Sequence, residues 1–392
     1  MSNGGHFSTN SLSYSEYYAR QCLLSSSNFP KDIESRTFGR LDICLDGLEP
    51  WLRLSSIDVS QTGDEISVNY RKKPDISYAI EGGKLIFIFD IEGKGLFISK
   101  HSCLEMREKA TLAFKAALPL TLTQLQEKFG WFDDLFTILT NSEYSLCWPI
   151  IDDVDADRKY EWYFLRPVTE QAAPQMHELP TNFLQLQGSL GNIVSNWMKK
   201  REEFGPGYYL YLGTRRGVKT YTENLFATLV WGLEALHRRK NIYDSEAEVT
   251  REIVARILGN IEDKSDHDWL KNRLQNAYEP ALWRRIFDVL HCIPIEGIDE
   301  KRLEKFCRKC AGYRNQISHF GAQRQDKDYT TFVNELRRYS DAISYLYHML
   351  ILHDIGIDAQ IINSMLHSGF YSYRLRSAFV EVGLLDAVSK PA

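Results

Sequence analysis

Hydrophobic positions recur at every second residue in the first part of the chain and at every third or fourth residue in the rest. Leu41, Ile43 and Leu45 alternate with polar neighbours, as do Ile66, Val68 and Tyr70, a spacing that predicts half-buried strands. Gly82-Gly83 separates an Ile76–Ile80 strand from Leu85–Ile91, and Gly93-Lys94-Gly95 leads on to Leu96–Ile98, so two hairpin turns are expected. The unbroken apolar run Leu85-Ile86-Phe87-Ile88-Phe89 predicts a strand covered on both faces. Thr121-x-x-Gln124 reads as a capping box, opening a helix with Leu125, Phe129, Phe132, Phe136 and Leu139 on one stripe. Further strands are expected at Tyr144–Ile151 and Tyr160–Leu165, and the Ser- and Tyr-rich residues before about 35 read as a first strand or arm.

Pro167, Pro174 and Pro180 punctuate a polar segment, and the pattern changes across it. Beyond it helices are predicted at Ser189–Glu203, Thr220–Lys240, Ser245–Ile261, Asp266–Tyr278, Pro280–His291, Glu300–His319 and Tyr329–His353, with short pieces to the end. Gly205-Pro206-Gly207 is expected to break the chain between the first two of these helices. The fold class that follows is α+β: an antiparallel β-rich N-terminal domain over 1–168, then an all-α bundle over 182–392.

Composition narrows the function classes. At 392 residues, 44% hydrophobic and 25% charged, with no low-complexity tract, the chain has ample core for two or three globular units. A net charge of −5 argues against a protein that coats nucleic acid unselectively. Seven basic residues against one acid (Glu304) between Lys301 and Arg324 nevertheless make a local basic patch, suited to one segment of phosphate backbone, the alternative being a solvated helix face with unbalanced charge. Seven scattered cysteines form no disulfide framework, and Cys307-x-x-Cys310 lacks a second ligand pair at zinc spacing. No metal and no cofactor are expected. The polar N-terminus has no apolar signal core and no run reaches membrane-span length, so the chain reads as a reduced, cytoplasmic protein with no membrane partner. Asp152, Asp153, Asp155 and Asp157 read as a solvated turn, and the aromatics Trp51, Tyr70, Tyr78, Trp148 and Trp162 as core rather than a stacking platform.

Chemistry concentrates in Gly312-Tyr313-Arg314-Asn315-Gln316-Ile317-Ser318-His319-Phe320-Gly321. Arg314 offers a permanent forked charge for a phosphoryl group, and His319 a group that exchanges protons near neutrality. Asn315 stands four residues before His319, on the same helical face, where it can fix the imidazole tautomer. Arg314 is five residues from His319, about 140° round a straight helix, so a long side chain, a bend or a second copy of the motif is needed for both to meet one phosphate. Arg285 and His291 form a similar pair with one more residue between them. That copy has Ile286 after the arginine and runs into Ile293-Pro294, which sets it behind the first.

Arg314-Asn315-x3-His319, followed by the helical stretch from Tyr329 to His353, resembles the signature of the HEPN superfamily, small helical bundles among which many are metal-independent endoribonucleases. The run Trp231-Gly232-Leu233-Glu234-Ala235-Leu236-His237-Arg238 is similar to the early helix of the ApeA-like branch, and the N-terminal strand meander with its Leu120–Asn141 helix is similar to the N-terminal domain of that branch.

The resemblance implies an endoribonuclease acting on RNA, tRNA in particular, in abortive-infection defence against phage. It also implies a homodimer through the helical domain and a phage-derived trigger. Arg314, Asn315, His319 and Glu234 are the catalytic candidates, Glu234 matching the acidic position that supports the arginine–histidine pair; the alternative for Arg314 and His319 is a helix-capping arginine and a half-buried histidine beside Gly321. Arg308, Lys309, Arg324, His237 and Arg238 are the RNA-binding candidates. An alternative for Glu234 is an i,i+4 surface pair with Arg238. Two other function classes stay open: a catalytically silent HEPN-type interaction module, and a ligand-sensing β domain on a helical dimer scaffold.

Overall fold

The period-two half folds as a sheet and the period-3.6 half as helices. The computed structural model describes residues 19–25, 36–45, 47–94, 105–142, 147–154, 158–166, 173–216, 220–240, 245–274, 277–318 and 328–387. Seven strands form one antiparallel sheet, in the order β1 (Gln21–Leu24), β9 (Arg158–Phe164), β8 (Ile150–Asp153), β2 (Phe38–Ile43), β7 (Glu105–Leu120), β6 (Gly83–Lys94), β5 (Ile76–Ile80). One row of the register runs Leu85–Phe114–Leu41–Ile151–Tyr160 across five of these strands, all buried. Helices α1 (Leu48–Leu52) and α2 (Leu122–Thr140) cover that face, with Phe132 against Phe114 and Phe136 against Trp51. The Thr121/Gln124 capping box closes at the start of α2, and all five residues of the expected apolar stripe are buried.

Several expectations change. Ile66 and Val68 do lie in a strand, but β4 (Glu65–Tyr70) pairs only with β3 (Ile57–Thr62) in a separate ribbon, which leaves them exposed rather than half-buried. The Leu85–Phe89 run alternates buried and partly exposed, so one of its faces is covered, not two. Gly82 turns β5 into β6 in the left-handed region, where glycine pays no steric cost. β6 then continues through Gly93 to Lys94, while Leu96–Ile98 lies outside the described residues. The long strand β7, rich in Ala and Lys and weakly β-forming, was not expected and is held by its pairing with β6 and β2. Strand β8 begins at Ile150, later than the expected Tyr144, and residues 143–146 are outside the described set. Asp153 is a buried partner of Arg36 at 2.7 Å rather than part of a solvated turn.

The largest departure is in α4, which runs unbroken from Leu190 to Arg215 through Gly205-Pro206-Gly207. Proline brings no N–H to the helical ladder, and packing outweighs the missing bond. A Cβ on Gly207 would lie 2.4 Å from Leu236 Cγ, and one on Gly232 would lie 2.5 Å from Tyr347 Oη. Bare Gly207 lets α4 and α5 (Thr222–Arg239) cross closely, bare Gly232 makes room for Tyr347 from a later helix, and Tyr347 Oη donates to the Gly207 carbonyl at 2.7 Å. Around α5 the bundle adds α8 (Leu282–Leu290), α9 (Glu300–Ser318) and α10 (Tyr329–Asp354). Short α3 (Phe183–Leu186) precedes α4, α6 (Ser245–Gly259) and α7 (Lys264–Arg273) project from the bundle with no buried side chain among those described, and α11 (Ala359–Ser364) and α12 (Gly369–Glu381) follow α10. No helix among the described residues is long and apolar enough to cross a membrane.

A buried polar network joins the two halves. His348 on α10 meets the Ile138 carbonyl at 2.7 Å through Nε2, which must therefore carry the proton, so Nδ1 accepts from Tyr371 Oη at 3.1 Å. Asn141, at the left-handed end of α2, donates to Tyr371 and accepts from Tyr211, and its carbonyl takes a hydrogen bond from Arg215. Burial lowers the His348 pKa to about 3, with the nearby Arg215 charge acting in the same direction. The unfolded chain binds this proton near pH 6.5 and the folded chain refuses it until about 3, so this group's stability is present above 6.5 and is lost as pH falls toward 3. Urea titrations at pH 7, 5 and 4 are expected to show wild type losing stability on acidification faster than His348→Gln, by up to about 1.4 kcal/mol per pH unit within that window. A difference of opposite sign would refute the assignment.

Candidate active site

Helix α5 buries Phe226, Leu229, Val230, Leu233 and Leu236, a spacing that turns one stripe into the bundle. Glu234 and His237 flank that stripe and are carried inward with it, at 7% and 5% exposure. Burial of a carboxylate calls for compensating charge, and two neighbouring helices supply it. Arg285 of α8 places Nη2 3.0 Å from Glu234 Oε1, and Arg314 in the last turns of α9 places Nη2 3.6 Å from Glu234 Oε2. One carboxylate therefore lies between two guanidinium groups. The alternating chain continues outward: Arg285 Nη1 donates to Glu279 Oε2 at 2.9 Å, and Arg238 Nη2 donates to the same oxygen at 2.9 Å.

The two arginines are held differently. Arg285 is 12% exposed and engaged at both Nη atoms. Arg314 is 29% exposed, and its only ion pair among the described residues, at 3.6 Å, is too long for a hydrogen bond. The Nε of each arginine is out of solvent without a hydrogen-bond partner, so the difference lies at the Nη end. Arg314 thus keeps a partly open fork of donors, suited to bidentate contact with a phosphate.

The other candidates are spread around this pair. Asn315 is exposed on α9 one residue beyond Arg314. His237 faces Asp288, with Nε2 3.5 Å from Oδ2, and is turned into the protein rather than toward solvent. Burial lowers its pKa, outweighing the Asp288 carboxylate. Arg238 is exposed and pairs with Glu279, not in the i,i+4 surface pair with Glu234. Arg308 pairs with Glu304 at 2.7 Å and lies 3.6 Å over the Trp283 ring, and Lys309 is exposed beside it. His319 and Arg324 lie outside the described residues. Tyr313 is buried and donates to Glu335 at 2.9 Å, so its hydroxyl proton is already engaged.

Arg285 and Glu279 were missed as site residues. Arg285 entered only as part of the second arginine–histidine pair, whose His291 instead stacks on Phe287. Helical spacing shows which residues share a face within one helix, and the Arg285–Glu234 contact joins two helices separated by about fifty residues. The available signal was a carboxylate carried inward beside the apolar stripe of α5, which demands a cation from elsewhere. Cys307 and Cys310 are wholly buried on α9, where burial pushes both thiols up.

Comparison with known proteins agrees with this layout. The family model described as Apea-like HEPN matches residues 228–361, which include Glu234, Arg285 and Arg314. The model described as ApeA N-terminal domain 1 matches residues 1–197, which include the whole seven-stranded sheet. No match was found among the curated proteins or the solved structures. An N-terminal match spanning half the chain, followed by a helical match over the bundle that holds the two-arginine site, places this protein in the ApeA-like HEPN family.

Proposed function

We propose that this chain is a metal-independent endoribonuclease of HEPN type that cuts host RNA, tRNA foremost, in abortive-infection defence against phage. The helical part, 182–392, would cut, and the β-rich part, 1–168, would position RNA or receive a phage-derived trigger. The observation that carries the reading is Arg314: a half-open guanidinium oriented by the buried Glu234 carboxylate and one turn of helix from His319 in sequence. A fixed forked cation beside a proton-exchanging imidazole is what in-line transfer at a phosphodiester requires.

In this reading the imidazole of His319 removes the proton of a ribose 2′-hydroxyl. The oxygen attacks the adjacent phosphorus, and the P–O bond to the 5′-oxygen breaks. That oxygen takes a proton as it leaves, giving a 2′,3′-cyclic phosphate and a 5′-hydroxyl. Arg314 stabilises the charge that builds on the non-bridging oxygens. DNA lacks the nucleophile and is not cut. The angular offset between positions 314 and 319 on a straight helix supports a homodimer through the helical domain, in which two copies of the motif face each other.

The test is cleavage of total RNA in EDTA by wild type and by His319→Ala, with the fragment ends mapped. Wild type is expected to cut and leave cyclic phosphates, and His319→Ala to leave the RNA intact. Cutting that depends on magnesium, or equal cutting by both proteins, would defeat the mechanism.

A further inference from the structure

We infer that Arg285 is a positioning residue of the site, which holds the Glu234 carboxylate by one oxygen so that the other orients Arg314 without capturing it. The inference rests on the ribonuclease reading above and extends it to a third helix. Its basis is an asymmetry in the two ion pairs: Arg285 lies at 3.0 Å from Oε1, Arg314 at 3.6 Å from Oε2. The shorter pair takes most of the carboxylate's attraction, and the longer one leaves the Arg314 fork free for a second anion.

Arg285 can do this because it is itself fixed. Its Nη1 is tied to Glu279, and Arg238 braces the same Glu279 oxygen. The guanidinium is planar, so holding one Nη on Glu279 sets the direction of the other toward Glu234. A lysine ammonium cannot span the two carboxylates in this way. Without Arg285, Glu234 keeps a single cationic partner, and a buried carboxylate closes on it. Arg314 would then be sequestered from the phosphate.

The experiment uses the full chain and steady-state cleavage of a short RNA in EDTA. Arg285→Met is expected to lower kcat about 30-fold while KM changes less than about threefold, since a misplaced guanidinium costs transition-state contact more than binding. Arg285→Lys is expected to remain at least about tenfold below wild type. The double variant Glu234→Gln/Arg285→Met is expected to be no slower than Arg285→Met, because the captor has been removed with the positioner. Glu279→Gln, which leaves both arginines and the buried carboxylate in place, guards against a folding defect and is expected to lose a few-fold in kcat alone.

Arg285→Met within about threefold of wild type in kcat, a change confined to KM, or full activity of Arg285→Lys would each overturn the inference while leaving the ribonuclease reading intact. Should wild type cut no RNA, the ribonuclease reading falls, and the arrangement is judged by guanidinium NMR on arginine-labelled protein. A shift of the Arg314 Nε–H signal in Arg285→Met, absent in Arg302→Met, then supports the positioning role, and an unmoved signal overturns it.

Discussion

Arg314→Met is expected to slow RNA cleavage by about a thousandfold, with RNA affinity lowered only a few-fold. The size follows from where the charge is needed. A preorganised donor aimed at oxygens that gain charge only as the reaction proceeds contributes to the rate rather than to binding, typically about 10²–10³ for one such group. Arg314 meets the structural conditions: it is partly sheltered, its fork is not used up by Glu234, and the α9 backbone fixes its base. Arg314→Lys separates charge from geometry, because an ammonium keeps the cation but loses the fork. It should recover binding and little of the rate. The measurement is single-turnover cleavage beside affinity for an RNA bearing a 2′-deoxy block at the cut site. A loss in Arg314→Met below about tenfold would remove the residue from the chemistry.

Gly232→Ala is expected to destabilise the protein by about 3 kcal/mol, although a single methyl group is added to a helix. The methyl would lie 2.5 Å from Tyr347 Oη and about as badly placed against the ring, with Cε1 at 3.0 Å. Tyr347 has nowhere to go, since it is fully buried and its hydroxyl donates to the Gly207 carbonyl. Either that hydrogen bond breaks with its partners still buried, or α5 moves away from α10. Gly213→Ala is the contrasting case, on the exposed side of α4 with no atom within 4 Å of the new methyl. There the lower helix propensity of glycine decides the sign, and a gain of about 0.5–1 kcal/mol is expected. Urea unfolding of the two variants checks both values, and equal effects would show that the close crossing is not what the glycine serves. Because Gly232 lies two residues before Glu234, its variant should also lose cleavage at temperatures where it remains folded.

Local signals carried most of the fold. The Thr121/Gln124 capping box, the Gly82 turn and the apolar stripe of α2 are each decided within a few residues, and each stands where the pattern put it. The helices bearing Glu234 and Arg314 were legible for the same reason. What escaped depends on partners distant in the chain. Strand β7 exists because β2 and β6 flank it, against its own composition. Gly205-Pro206-Gly207 reads as a break by propensity, yet the α4–α5 crossing uses the bare Gly207 and the helix stays whole. At the site, the Arg314–His319 spacing named one arginine, while Arg285 emerges only once three helices are assembled around Glu234.

The interior placement of Cys307 and Cys310 has a practical consequence. Both thiols are buried on the helix that carries Arg314, whereas Cys22, Cys147 and Cys292 are exposed. An alkylating reagent therefore marks the exposed cysteines first and reaches the inner pair only when α9 lifts from its neighbours. The chain carries its own clock for that event: the lag between the two labelling phases times how often the helix beneath Arg314 lets go.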